Sequence, residues 1–233
     1  MQSINEIKEI LSHCPMDALP AQMQEWEGDS RKGVQNVLTS FRKKYEKHLQ
    51  ERARLEEILT YERGCWAAGY ALVAGIDEVG RGPLAGPVVA AAVILPQECK
   101  IEGVNDSKRL SAKKREELYD VILEKAVAYG IGIVSNERID EINILQATYE
   151  AMRQAISKLE VKPDILLNDA VTIPGVDIRQ IPIIKGDAKS ISIGAASIVA
   201  KVTRDRMMVE YDKVFPEYGF ASNKGYGSAE HIH

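Results

Sequence analysis

From Ala71 onward, short apolar and β-branched runs alternate with longer stretches of helical period. The runs at 71–77, 87–95, 129–135, 164–168 and 179–185 predict strands. The stretches at 111–128, 137–160 and 191–214 predict helices. Proline-free helical stretches between short strands imply an α/β domain, a central sheet flanked by helices. The first 70 residues read differently. Ile4 to Ser12 has helical spacing, Cys14-Pro15 to Pro20 breaks it, and Asp29-Ser30 supplies cap residues for a helix opening near Arg31. Val37, Leu38, Phe41 and Tyr45 then recur three or four residues apart, in a helical pattern that runs to about Ala68. The pattern therefore predicts a small helical N-terminal extension over 1–70 and a second domain over 71–233. No internal repeat or low-complexity segment interrupts it.

Composition narrows the class. With 233 residues, 27% charged and 45% hydrophobic, the chain suits a globular protein with one large core and an appendage. Apolar runs stop well short of membrane-spanning length, and Met1 to Glu6 lacks the basic and apolar regions of a signal peptide. A cytoplasmic protein without a membrane partner is expected. Cys14, Cys65 and Cys99 show no paired spacing, which argues against a disulfide framework and a zinc site. The net charge of −4 argues weakly against a nucleic-acid partner. Divalent ions held by carboxylates would supply positive charge locally and weaken that objection. Arg42-Lys43-Lys44 and Lys47 read first as a solvated helix face and second as a backbone-phosphate contact.

The chemistry concentrates in residues 74–87. Asp77 and Glu78 follow the apolar run Ala71–Ile76. Successive strand side chains point to opposite faces, so this pair shares a metal only where the strand ends or bulges. Asp169 follows a second run, Asp164 to Asn168, and Asp187 a third, Ile181 to Gly186. Carboxylates at three strand C-termini would converge on one sheet edge. They offer the hard oxygen donors of a Mg²⁺ or Mn²⁺ site and none of the soft ligands of zinc. The loop Gly80 to Gly86 superficially fits a dinucleotide fingerprint, which needs a helix directly after it. Pro83 and Pro87 bracket the loop and the apolar run Val88–Leu95 follows, so strand–loop–strand is the better reading. Acids beside a loop that admits a phosphate backbone are the parts of a metal-dependent phosphodiesterase.

These residues closely resemble the ribonuclease HII family. The matching segments are Gly75–Pro87, Asp106–Leu110, Asp140–Ile144, Lys185–Asp187, Ala195–Asp205 and Asn223–Gly227, in the family's order across roughly residues 71–233. The resemblance implies an RNase H-like fold with a central mixed sheet. It also implies metal-dependent hydrolysis of the RNA strand in RNA–DNA hybrids and nicking 5′ of ribonucleotides embedded in duplex DNA, a role in ribonucleotide excision repair. Two Mn²⁺ or Mg²⁺ ions would be held by Asp77, Glu78, Asp169 and Asp187, leaving a 3′-hydroxyl and a 5′-phosphate. Asp205 is a further candidate for the second ion, with a helix-surface salt bridge as its alternative. The family assigns 2′-hydroxyl sensing to Gly80-Arg81-Gly82 and stacking on the following deoxyribose to Tyr226. Lys108, Lys185, Lys201 and Ser197 are candidate substrate contacts, and Asn143 touches DNA or caps a helix. A monomer is expected.

Two departures stand out. The chain ends at His233, where family members usually continue for a further helical segment, so its C-terminal tail is expected to be shortened. Asn168 stands where the family usually has an apolar residue. Two other readings remain: the sister type HIII, with a different glycine loop and a sheet-bearing N-terminal domain, and a non-catalytic hybrid-binding module. The glycine loop and helical N-terminus speak against the first. The converging acids, which would repel phosphates without metal, speak against the second.

Overall fold

The computed structural model describes residues 2–228. The expected shortening of the tail at His233 lies outside them. The chain divides into two compact units, Met1–Glu56 and Glu57–His233.

In the first unit, α1 (Ile4–His13) opens on a capping box: the Ser3 hydroxyl accepts from Glu6 N, and the Glu6 carboxylate accepts from Ser3 N. Next come α2 (Leu19–Gln24) and α3 (Lys32–Glu57). Ile7, Leu11, Leu19, Met23, Trp26, Val34, Leu38 and Phe41 form a core of their own. Lys43 and Lys47 are exposed, Arg42 pairs with Glu27 at 3.0 Å, and Lys44 sits over the Phe41 ring, as on a solvated face.

In the second unit, the expected continuous helix breaks at Ile58-Leu59 before α4 (Thr60–Ala67). The described strands are β1 (Val73–Val79), β2 (Val88–Ile94), β3 (Ala128–Val134), β4 (Ile165–Asp169) and β5 (Arg179–Ile183). They form one mixed sheet in the order β3-β2-β1-β4-β5. β1 pairs antiparallel with β2 and parallel with β4, which places β1 at the centre. The helices α5 (Ala112–Lys125), α6 (Asn136–Ser157), α7 (Ile191–Val214) and α8 (Phe220–Asn223) complete the unit. Ser111, Ser135 and Ser190 cap α5, α6 and α7 through their hydroxyls.

Alternation along β1 assigns the two faces of the sheet. Ala74 and Ile76 join Ala151, Met152 and Ala155 of α6, whereas Val73 packs with Ile193 of α7. Residues 191–200 of α7 are buried all round, so this helix lies in the core instead of on the surface. Two glycine contacts set how close the layers come. A Cβ on Gly75 would stand 2.0 Å from Ser192 C, and one on Gly132 would stand 1.8 Å from the Ala151 carbonyl oxygen.

β1 runs two residues further than the hydrophobic pattern implies. Its pairing with β2 continues without a bulge through Asp77↔Ala91 and Glu78↔Ala90. Gly75→Ala should therefore destabilise the fold by about 3 kcal/mol or more, since backbone on α7 has no room to yield. Gly28, with nothing within 4 Å of an added Cβ, should tolerate alanine. Thermal denaturation of the two variants checks the contrast.

Candidate active site

The parallel register of β1 and β4 runs from Val73↔Ile165 to Ile76↔Asn168 and leaves Asp77 and Asp169 side by side one rung further on. Asp187 enters from the 3₁₀ turn Gly186–Ala188 after β5. Carboxylate oxygens of Asp77, Asp169 and Asp187 lie within 4.8 Å of one another. Asp169 Oδ1 accepts from Gly186 N at 2.7 Å, so the β4 acid itself holds the turn that carries Asp187. Asp77 Oδ1 accepts from Glu78 N at 2.8 Å, and the Ser197 hydroxyl of α7 also bonds its carboxyl.

Crowding and burial push Asp77 and Asp187 toward their neutral forms. Asp77, 6% exposed, is raised well above the carboxylate range, first by burial and then by the charges of Glu78 and Asp169. Asp187 is raised to about 6 by burial and by Asp106 and Asp169, with Lys108 opposing. Such a set of hard oxygen donors, short of positive charge, fits a divalent cation.

Glu78 does not join that group. It leaves the unbulged strand on the face opposite Asp77, and its Oε1 accepts from Arg81 Nη1 at 3.2 Å. Burial raises its pKa and Arg81 opposes the rise. Asp205 also stays apart: Lys201 donates to its Oδ1 at 2.6 Å, and Arg115 lies 3.5 Å from its Oδ2. The salt-bridge alternative describes it. Ser197, expected at the substrate, is 5% exposed and sits inside the site, bonding Asp77 and Ser107 Oγ at 2.9 Å. Asn143 interrupts α6 with φ 69° and ψ 164°, and its Oδ1 accepts from Leu145 N and Gln146 N. The capping alternative accounts for these bonds.

The glycine loop joins β1 to β2 as strand–loop–strand. Leu84 N and Ala85 N both donate to the Gly225 carbonyl, at 2.8 and 3.3 Å, which ties the loop to the segment bearing Tyr226. A Cβ on Gly82 would lie 3.9 Å from Tyr226 Cε1, so loop and ring share one surface. Lys201 Nζ sits 5.7 Å from the centre of that ring. Lys108 and Lys185 are exposed. Asn168 is buried; its Nδ2 donates to Gln180 Oε1 at 2.7 Å and to the Val171 carbonyl, whereas its Oδ1 has no hydrogen-bond partner among the described residues.

Several contributing residues lacked a recognised role in the sequence. Asp106 faces Asp187, Ser107 braces Ser197, and Arg115 donates to the carbonyls of Ser107 and Leu110. Membership of the Asp106–Leu110 segment pointed to Asp106 and Ser107, and nothing in the sequence pointed to Arg115.

A mixed sheet with convergent acids at the ends of parallel strands, beside a glycine loop, defines a metal-dependent nuclease of RNase H-like fold. The family model "Ribonuclease HII" matches residues 74–233, and "Ribonuclease HII N-terminal domain" matches residues 3–66. Ribonuclease HII of Lachnoclostridium phytofermentans is 67% identical over 204 residues, covering 88% of this chain and 80% of the relative. That of Clostridioides difficile is 55% identical over 230 residues, covering 99% and 90%. The crystal structure of ribonuclease H2 from Pyrococcus horikoshii superposes with a TM-score of 0.60 at 32% identity, covering 69% of this chain and 83% of that one. The chain belongs to the ribonuclease HII family. Type HIII fits less well, since the described residues before β1 form helices and turns and no strand.

The raised acids give a pH signature in protein stripped of metal. A carboxyl with a folded pKa near 6 and an unfolded value of 3.8 contributes stability that is complete below 3.8 and lost as pH rises through about 6. The metal-free protein should therefore melt higher at pH 5 than at pH 7.5, and Asp187→Asn should shrink that difference. Thermal melts in chelator at the two pH values check it.

Proposed function

We propose that this chain cuts the RNA strand of RNA–DNA hybrids and nicks 5′ of single ribonucleotides in duplex DNA, leaving a 3′-hydroxyl and a 5′-phosphate. The observation that carries this reading is the three-acid group next to a glycine loop that shares a surface with Tyr226. Asp77, Asp169 and Asp187 would hold Mn²⁺ or Mg²⁺, and Glu78 would add a fourth donor only by giving up its pairing with Arg81 and turning toward them. When bound, two such ions supply an activated hydroxide and neutralise charge on the scissile phosphate.

The chain's own residues supply selection and grip. Gly80 and Gly82 let main-chain groups approach a ribose 2′-hydroxyl, the group that separates RNA from DNA. Tyr226, 40% exposed, offers a ring for the next sugar, with Lys201 holding its orientation. Lys108 and Lys185 supply exposed cations for phosphates. A groove of about 620 Å³ is lined by Arg115, Lys201, Arg206 and Lys224 but also by Glu116, Asp205 and Glu210, and Glu116 and Asp205 pair with three of those cations, so it offers the duplex backbone only a slight excess of positive charge. Ser197 serves this scheme as a brace for Asp77, not as a substrate contact.

Asp77→Asn should lower turnover of a duplex with one embedded ribonucleotide by roughly a hundredfold to a thousandfold while leaving duplex binding largely intact. The assay is run in Mg²⁺ and in Mn²⁺ with the cut position mapped. Retained cleavage by a clean preparation of the variant would sink the reading, and binding without turnover by the wild-type protein would favour a non-catalytic module.

A further inference from the structure

Arg204 heads the fully buried side chains by size, at 0% exposure. A buried cation is rare unless something specific satisfies it. Here three main-chain carbonyls do. Arg204 Nε donates to Pro87 O at 2.9 Å, Nη2 to Ala85 O at 2.9 Å, and Nη1 to Lys224 O at 2.8 Å. Two of the carbonyls belong to the glycine loop, and the third lies two residues before Tyr226. The loop wraps the guanidinium closely: a Cβ on Gly80 would stand 3.0 Å from Nε, and one on Gly86 3.1 Å from Nη2. Gly80, Gly86 and Gly225 all have positive φ, so the segments pinned by Arg204 depend on conformations other residues rarely adopt.

Arg204 also sits seven residues after Ser197 on α7, two turns along the same helix face. The helix that braces Asp77 thus carries, 10 Å further along at about 1.5 Å per residue, the side chain that joins the loop to the tyrosine segment. Only a planar fork with diverging donors reaches three carbonyls at once; a lysine ammonium at that point cannot span them.

We infer that Arg204 is a positioning residue that fixes the glycine loop and the Tyr226 segment relative to each other, and so sets selection of the ribonucleotide-to-deoxyribonucleotide junction. This inference rests on the function proposed above. Arg204 touches neither substrate nor the acid group. It acts through the main chain it holds.

The test compares wild-type protein with Arg204→Lys and Arg204→Met by amide hydrogen exchange, Mn²⁺ titration, and kinetics on two substrates, a duplex with one ribonucleotide and a continuous hybrid. Exchange over residues 80–87 and 224–228 should quicken about tenfold or more in both variants while amides of β1 and β2 keep their protection. Mn²⁺ affinity should stay within about threefold. KM for the single-ribonucleotide duplex should rise about tenfold with kcat nearly unchanged, and the preference over continuous hybrid should fall, less in Arg204→Lys than in Arg204→Met. Unchanged loop exchange overturns the clamp. So does a uniform rise in exchange with both activities falling together, which marks a merely structural arginine. If wild-type protein fails to nick the single ribonucleotide, the selectivity role falls with the proposed function, and the exchange data still decide whether the clamp exists.

Discussion

Like charges a few ångströms apart in a poorly hydrated pocket repel, and this fold holds Asp77, Asp169 and Asp187 together against that repulsion. The cost appears as raised pKa values on Asp77 and Asp187. What opposes it is packing. Parallel pairing of β1 with β4 fixes two acids side by side, and the Asp169–Gly186 hydrogen bond fixes the third. A cluster that is unfavourable when empty and ionised becomes favourable on meeting a divalent cation.

One helix organises the rest. The start of α7 presses on Gly75 so closely that no side chain fits between them. Its N-terminus is tied to α4 by buried Glu62, whose Oε1 accepts from Ser190 Oγ at 2.5 Å and Ser192 N at 3.0 Å. Burial pushes the Glu62 carboxyl up, and those two bonds oppose the shift. Further along, Ser197 meets Asp77 and Arg204 meets the loops. Chemistry and selection are thus indexed to one rigid element, so a displacement of α7 would disturb both.

Much of this was legible in the chain. Strand and helix positions followed from apolar periodicity, and Asp169 and Asp187 stood out because each closes an apolar run. The sister position of Asp77 and Glu78 was harder. The pattern ended β1 at residue 77, where the two acids could diverge from strand geometry, but pairing with β2 extends the strand through both and sends them to opposite faces. The family resemblance offered Asp205 as a ligand or a salt-bridge partner and Ser197 as a substrate contact, and the sequence could not decide because spacing along a helix does not say what packs against it. The partners of Ser197 are 90 and 120 residues away in sequence, on Ser107 and Asp77. Arg204 was silent for the same reason, its role resting on carbonyls that no sequence pattern encodes. Asn168, a polar residue in an apolar run, made sense only once Gln180 was seen beside it.

If the three converging acids form the metal site, losing one of them must weaken metal binding. Isothermal titration of Mn²⁺ into wild-type protein and Asp169→Asn, both shown to be folded by circular dichroism, tests it most directly. Saturable binding to the wild type is expected, with proton release that grows as pH falls from 7.5 toward 6, and loss of most of that affinity in the variant. Equal affinity in the two proteins would contradict it.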